Sequence, residues 1–182
     1  MMTFWRHGYN ATTYRSLEAM SGVGIKSLAN AFGDKDKLFS KALARYREMV
    51  AGNLAKMFDP PSIDAIVAIF ERVSSPAEGD DPRRGGCLMV NTMFEIDKPA
   101  ADVANEITEY RDLFRSNFHR ALEAEQITDS ETRAEFLVGA LWGALSQIRL
   151  AGETAAAQPM ASIVIETIRA WTSHTERGAL RT

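Results

Sequence analysis

The chain has 182 residues, of which 46% are hydrophobic and 25% are charged, and its formal net charge is −3 at pH 7. This length can bury the core of one or two domains, and the composition excludes disordered, collagen-like and membrane-spanning classes of protein. The only cysteine, Cys87, cannot form an intramolecular disulfide, and the first residues lack the pattern of a secretion signal. We therefore expect a cytoplasmic protein that has no membrane partner.

Charge is distributed unevenly along the chain. Residues 1–58 contain nine lysines and arginines against four acidic residues, whereas residues 59–182 contain twelve against twenty. A small basic segment joined to an acidic body is typical of a module that binds a polyanion, because lysine and arginine displace counterions from phosphates.

Helix-forming residues dominate the sequence, and no stretch of alternating apolar and polar residues predicts a β-strand. Breaks rich in glycine, proline and serine separate segments of helical length. The sequence therefore predicts an all-α fold. The predicted helices cover residues 1–6, 13–20, 25–32, 35–57, 62–73, 86–96, 101–125, 130–151 and 160–175.

Turn and cap residues divide the first predicted helices into short units. Thr13 is a good N-cap for the helix that follows it, and residues 22–24 contain two glycines that permit a sharp turn. Gly33 ends the next helix and Asp34 can cap the one after it. Lys35 then lies at an open helix N-terminus, where backbone donors and its own charge favour phosphate binding.

The short helix predicted at 25–32 has two different faces. Its predicted inward face, with helical spacing, carries Ile25, Leu28, Ala29 and Phe32. The opposite face carries Lys26, Ser27 and Asn30. A short amphipathic helix after a tight turn can enter the major groove of DNA, where Lys26 can donate to guanine and Asn30 can pair with adenine.

The stretch FWRHGYNATT, followed by a short helix, SGVGIKSLANAFGDKDKLF and a long helix, resembles the DNA-binding domain of the tetracycline-repressor (TetR) family. The resemblance implies an N-terminal helix-turn-helix head of three helices, residues 1–47, and a C-terminal ligand-binding and dimerisation bundle, residues 48–182. It implies a homodimeric repressor that a small, largely apolar effector releases from double-stranded operator DNA. By position, Thr13, Tyr14 and Lys35 would contact phosphate, and Lys26 and Ser27 would approach bases or phosphate.

Two features depart from the family pattern. Only MMTFWR precedes the Gly8–Tyr9 pair, where the family has a longer first helix, and Ala29 and Ala31 stand where the family favours aromatic residues. Each missing DNA contact would cost roughly 1–3 kcal/mol. An alternative interpretation is therefore a TetR-like module that binds ligands or proteins and has weakened or lost operator binding.

Aromatic residues and methionines of the body suggest an apolar effector pocket, because flat rings and adaptable methionines suit such a cavity. The same residue types also form ordinary hydrophobic cores, and that interpretation stays open. The candidate pocket residues are Phe70, Met89, Met93, Phe94, Phe114, Phe118 and Trp142.

The last two predicted helices carry apolar stripes that can form the four-helix dimer interface that the resemblance implies. Alternatively, both stripes pack within one protomer. The candidate interface residues are Phe136, Ala140, Gly143 and Ala144 in the first stripe, and Met160, Val164, Ile168 and Trp171 in the second.

The sequence predicts no catalytic site, no metal site and no cofactor. His119 and Glu123 form one isolated pair at helical spacing, which is too little for an enzyme. Cys87 allows two interpretations. Arg83 and Arg84 could lower its pKa and make it a redox sensor, or it could be a small buried apolar residue.

Overall fold

The computed structural model of the protein describes the backbone of residues 1–179 and the side chains of residues 1–172. These residues form α-helices joined by short loops and two 3₁₀ turns, and they contain no strand, so the all-α prediction is confirmed. The helices are α1 (Met2–Ala11), α2 (Tyr14–Ser21), α3 (Ile25–Phe32), α4 (Lys35–Met57), α5 (Ile63–Ser74), α6 (Leu88–Glu95), α7 (Ala101–Ala124), α8 (Ser130–Ala151) and α9 (Gln158–Ala179).

Side chains that cap backbone donors set where several helices begin. The Thr13 hydroxyl accepts a hydrogen bond from the Ser16 N–H at the start of α2, and Ser16 Oγ accepts one from the Thr13 N–H in return. Asp34 accepts from the Lys37 N–H at the start of α4, and Ser62 accepts from the Ala65 N–H at the start of α5. Because capping is local, these boundaries agree closely with the predicted ones.

The body is a helical bundle around one main apolar core. Helix α7 packs along α8 and α4, and α9 packs against α5 and α8. Phe70, Phe118, Leu122, Leu137 and Leu141 are almost completely buried at the centre of this core. Among residues 1–179, no helix is both long enough and apolar enough to cross a lipid bilayer.

The head packs more loosely than the sequence predicts. Leu28 is buried and Phe32 is half-buried, but Ala29 is exposed and Ile25 is 40% exposed, so the prediction of a fully inward Ile25–Ala29 face is wrong. Helix α3 packs against α2 and α4, whereas α1 packs mainly against α6 and the 3₁₀ turn Pro82–Gly85. Helix α1 therefore does not pack over the start of α3, which stays exposed to solvent.

Helix α1 joins the head to the body. It extends beyond the predicted residues 1–6 and kinks at Gly8, whose backbone has a φ of 78°. The Trp5 indole N–H donates to the Gly86 carbonyl at 2.9 Å, and Arg6 forms an ion pair with Asp80 at 2.7 Å. The predicted domain boundary after residue 47 lies inside the continuous helix α4 and stays a prediction.

Candidate nucleic-acid interface and ligand cavity

The outward face of α3 presents polar side chains to solvent. Lys26, Ser27 and Asn30 are all exposed on this helix, and the Gly22 turn that precedes it has a left-handed φ of 70°. Ala29 and Ala31 are exposed on the same short helix. The structure thus brings the three predicted base-reading residues to one accessible surface, with small side chains beside them.

Thr13 and Tyr14 lie at the start of α2 and have structural partners. The Thr13 hydroxyl is the α2 cap, and the residue is exposed. The half-buried Tyr14 donates its hydroxyl proton to the Gly33 carbonyl at 2.7 Å, which ties α2 to the turn between α3 and α4. Both residues therefore stabilise the fold of the head. The predicted contacts with phosphate would come in addition to these structural hydrogen bonds.

Lys35 lies in the first turn of α4, and an aromatic ring holds it in place. Its ammonium nitrogen is 4.1 Å from the centroid of the Tyr9 ring, a cation–π contact. The Tyr9 hydroxyl donates a hydrogen bond to Asp36, and this bond, with a smaller contribution from burial, raises the pKa of Tyr9 to about 12. The ring is therefore neutral at physiological pH and supports the Lys35 charge beside the N-terminus of α4.

Replacing Asp36 with asparagine should lower the pKa of Tyr9 from about 12 towards its ordinary value of 10.0. Because the folded state favours the neutral phenol, this contribution to stability is complete below pH 10 and is lost as the pH rises through the interval between those two values. The tyrosinate absorbance of D36N should therefore exceed that of the unsubstituted protein within this interval. A Tyr9→Phe variant identifies the signal of Tyr9, and superimposable curves for D36N and the unsubstituted protein would contradict the assignment.

A carboxylate of the body holds the kink of α1. Glu95, the last residue of α6, accepts hydrogen bonds from the Tyr9 N–H at 2.8 Å and the Asn10 N–H at 2.6 Å. We call these two bonds the Glu95 bridge. The Asn10 side chain adds a donation to the Glu95 backbone carbonyl at 3.3 Å. The bridge fixes the end of α1 to α6, and with it the orientation of the head relative to the body.

A cavity of about 470 Å³ lies between α4, α5, α7 and α8, and it reaches α1. This volume falls in the range of about 300–1,000 Å³ that is usual for small-molecule sites. Its walls are mainly apolar, and Phe114 is the one predicted pocket residue that lines it. The other lining residues are Trp5, Tyr46, Met49, Val50, Asn53, Leu54, Lys56, Met57, Ile69, Arg72, Val73, Arg83, Gly86, Cys87, Tyr110, Leu141, Leu145 and Ile148.

The other six predicted pocket residues do not line this cavity. Phe70, Met89 and Phe118 are fully buried in the main core, because their helices turn them towards neighbouring helices. Met93 and Phe94 are 42% and 72% exposed at the end of α6. The half-buried Trp142 packs against the main core and does not line the cavity.

The inner end of the cavity contains a polar cluster that the sequence reasoning missed. Cys87 is buried, and its sulfur lies 3.5 Å from the Tyr46 hydroxyl and 3.3 Å from the Tyr110 hydroxyl. Burial raises the pKa of both phenols well above the ordinary value, so both stay neutral. Tyr46 lies on α4 and Tyr110 on α7, and no local pattern in the sequence signals that they meet.

The arginines before Cys87 do not contact its sulfur. Arg83 pairs with Asp81 at 2.7 Å, and the hydrogen bonds from Arg83 lower the pKa of that carboxyl group. Arg84 donates to the carbonyls of Gly79 and Gly152. Neither arginine therefore supports a redox-sensing thiol, and Cys87 is a buried residue of the cavity wall. Among residues 1–172, no group of three or more potential ligands could hold a metal ion.

The predicted dimer residues divide into two sets. Ala144, Val164 and Ile168 are buried inside the protomer, because α8 and α9 pack against each other and against α5. These three residues cannot also form an interface between subunits. The set on or near the outer surface comprises Phe136, which is 49% exposed, and the half-buried Ala140, Gly143, Met160 and Trp171.

The chain resembles a known protein family and a curated protein in sequence. Residues 62–164 match the family model of the Tetracyclin repressor-like, C-terminal domain. A segment of 109 residues, 59% of this chain, is 28% identical to the HTH-type transcriptional repressor ComR of Escherichia coli (strain K12) and covers 52% of that protein. The chain therefore matches about half the length of this curated relative.

Solved structures share the fold across both parts of the chain. The reduced form of NemR from E. coli has a TM-score of 0.77 at 16% identity, with 89% of each chain covered. A TetR-family regulator from Agrobacterium tumefaciens has a TM-score of 0.76 at 18% identity, with 91% of each chain covered. A cysteine mutant of the TetR-family regulator CifR, solved with 26-bp operator DNA, has a TM-score of 0.72 at 25% identity, covering 92% of this chain and 90% of that one.

Proposed function

This chain belongs to the TetR family, and on that premise we propose that it is a DNA-binding repressor that a small, largely apolar effector releases from its operator. The observation that carries this proposal is the joint surface of α3 and the start of α4. Lys26, Ser27 and Asn30 are exposed on α3, and Lys35 lies in the first turn of α4. A basic, polar helix face beside a helix N-terminus suits a DNA groove flanked by phosphates.

The proposed contacts divide into two classes. Lys26, Ser27 and Asn30 would read base edges in the major groove, and Lys35, with Thr13 and Tyr14, would hold the backbone. Binding of operator DNA by CifR, which shares the fold over 92% of this chain, supports this assignment. Two heads are needed to meet two half-sites, so we propose that the active form is a homodimer in the cytoplasm.

Helices α1 and α4 are the proposed connection between ligand and DNA. Tyr46 and Met49 in the middle of α4 line the cavity, and Lys35 is the first residue of the same helix. Trp5 also lines the cavity, and its helix ends at the Glu95 bridge. A ligand that binds better when these helices have shifted would favour a state in which the two heads no longer fit the operator.

Replacing Lys35 with alanine should weaken binding to all DNA sequences and reduce the slope of log affinity against log salt by about one, because one phosphate contact is lost. Lys56→Ala is the matched control: it lies near the other end of α4, about 30 Å away by the helical rise per residue. Fluorescence anisotropy with the DNA upstream of the gene, over a range of salt concentrations, measures both slopes. An unchanged slope for Lys35→Ala, or an equal change for Lys56→Ala, would contradict the assignment.

The second candidate function is a TetR-like ligand- or protein-binding module without operator binding. The exposed Ala29 and Ala31 and the loosely packed start of α3 favour it. A gel shift with DNA from upstream of the gene separates the two candidates, since only the repressor forms a complex that specific DNA competes away and random DNA does not. A catalytic function has no support at the cavity, because His119 and Glu123 are not among its lining residues.

A further inference from the structure

The outer part of the cavity is positively charged. Three of its lining residues, Lys56, Arg72 and Arg83, carry a positive charge, and no aspartate or glutamate is among the lining residues. Lys56 and Arg72 are exposed, as are the neighbouring lining residues Met49 and Asn53, so these side chains mark where the cavity opens to solvent. The entrance therefore has a net positive charge that a ligand must face.

Two of the three cations have no acidic partner within the described part of the chain. Arg83 is paired with Asp81 at 2.7 Å and also donates to the Arg72 backbone carbonyl and to Ser75 Oγ, both at 3.2 Å. Neither Arg72 nor Lys56 forms an ion pair with any of residues 1–172, although Asp81 lies near enough to feel the charge of Arg72. An anionic group of a ligand could therefore pair with Arg72 and Lys56.

The inner part of the cavity offers a ligand little beyond apolar surface. Val50, Leu54, Ile69 and Phe114 line it, and its polar atoms already have partners. The Trp5 N–H donates to the Gly86 carbonyl, and the hydroxyls of Tyr46 and Tyr110 contact the Cys87 sulfur. A polar group inserted here would lose its water without gaining a free partner, so the inner part favours an apolar ligand body.

We propose that the cavity binds an amphipathic organic anion. Its apolar body fills the inner part, and its carboxylate, sulfonate or phosphate group lies at the entrance between Arg72 and Lys56. Apolar burial supplies the affinity, and the two cations select for the negative charge. This inference rests on the proposed function for its regulatory meaning, but ligand binding itself can be measured without DNA.

A matched pair of fluorescent probes tests the selectivity. The anion is 1-anilinonaphthalene-8-sulfonate, and its neutral counterpart is N-phenyl-1-naphthylamine, which has the same ring system without the sulfonate. Both are titrated into the full chain, and probe fluorescence gives the dissociation constants. We expect tighter binding of the anion, with an affinity that falls as the salt concentration rises.

Arg72→Gln and Lys56→Gln should each weaken binding of the anion by about 1.5- to fivefold, which is the range for single ion pairs near a surface. Both variants should leave binding of the neutral probe unchanged. Arg120→Gln is the matched control, because Arg120 is exposed on α7 and does not line the cavity. Circular dichroism verifies that each variant is folded. Three results would overturn the proposal. The unsubstituted protein could bind both probes equally well, the variants could lose the same affinity for both probes, or Arg120→Gln could lose as much affinity for the anion as they do.

Cys87 provides a test of where the probe binds. It is the only cysteine in the sequence and it lines the cavity, so the mass added by N-ethylmaleimide reports on this one position. A bound anionic probe should slow this reaction, and an unchanged rate at a saturating probe concentration would place the probe elsewhere and refute the proposal. Because none of these measurements uses DNA, failure of the proposed repressor function would leave their outcome intact.

Discussion

Replacing Gly8 with alanine should lower the free energy of unfolding by about 2–4 kcal/mol. Gly8 has φ 78° and ψ 176°, a backbone conformation that side chains rarely adopt. A Cβ atom there would also lie 2.6 Å from Glu95 Oε2 and 2.8 Å from Oε1. The Glu95 side chain would have to move away and would give up the Glu95 bridge. Backbone strain and lost hydrogen bonds therefore add together, and chemical denaturation followed by circular dichroism measures the sum.

Gly22→Ala is the control for a positive φ without a clash at the added Cβ atom. Gly22 also has a positive φ, 70°, but a Cβ atom there would meet nothing within 4 Å. Gly22→Ala should lower the free energy of unfolding by about 1–2 kcal/mol, which is the cost of a left-handed conformation alone. A loss for Gly8→Ala that does not exceed the loss for Gly22→Ala would show that the Glu95 bridge contributes nothing.

The double variant Gly8→Ala with Glu95→Gln isolates the bridge itself. Because Gly8→Ala already displaces the carboxylate, Glu95→Gln should cost much less in that background than in the unsubstituted protein. The same variants test the proposed connection between head and body. If the bridge orients the head, Glu95→Gln should also weaken operator binding although Glu95 lies on α6, outside the DNA-facing surface.

The helices could be predicted from the sequence because their limits are set by local chemistry. Thr13 and Asp34 cap the helices that follow them, and Gly22 and Gly152 adopt left-handed conformations just after α2 and α8. Such signals act within about four residues, so they can be read without knowing the fold. The exposure of Lys26 and Asn30 follows in the same way from helical spacing.

The cavity could not be predicted because it depends on how whole helices are rotated in the bundle. Ile69 lines the cavity while its neighbour Phe70 is fully buried in the core, and Phe94 is mostly exposed. Residue type does not separate these cases, since all three are large and apolar. Trp5 lies in the predicted head, yet it lines the cavity of the body, because long-range packing of α1 on α6 determines its position.

Positions on α8 and α9 also depend on packing. The stripe containing Val164 and Ile168 is the buried side of α9, so an interface must use exposed positions on the flank of α9 next to α8. The rings of Phe136 and Trp171 are in edge contact, and a Cβ atom added at Gly143 would lie 3.1 Å from the Met160 side chain, which places the two helices side by side. Near this junction a Cβ atom added at Gly139 would meet no atom within 4 Å, and Ile163 is 62% exposed. An exposed apolar surface with a glycine that permits close approach suits a two-helix contribution to a four-helix interface.

Replacing Ile163 with glutamate should convert the proposed dimer into monomers and weaken operator binding by about a hundredfold or more. A two-fold interface presents each position twice, so one substitution buries two unpaired carboxylates. A monomer holds the operator with one head and loses the gain of bivalent attachment, which is typically about 10²–10⁴-fold. The protomer should stay folded, because Ile163 is mostly exposed and is not part of its core.

Ser162→Glu separates loss of the interface from the effect of added charge. Ser162 is exposed on the same helix, about 100° around the helix axis from Ile163 and further from the α8 junction. This variant adds the same carboxylate but should stay dimeric and bind operator DNA as the unsubstituted protein does. Light scattering coupled to gel filtration gives the mass of each variant, and fluorescence anisotropy gives its affinity. A dimeric Ile163→Glu protein at micromolar concentration would show that the subunits meet elsewhere. A monomeric variant with undiminished affinity would instead show that one head suffices, so oligomeric state and DNA binding are tested separately.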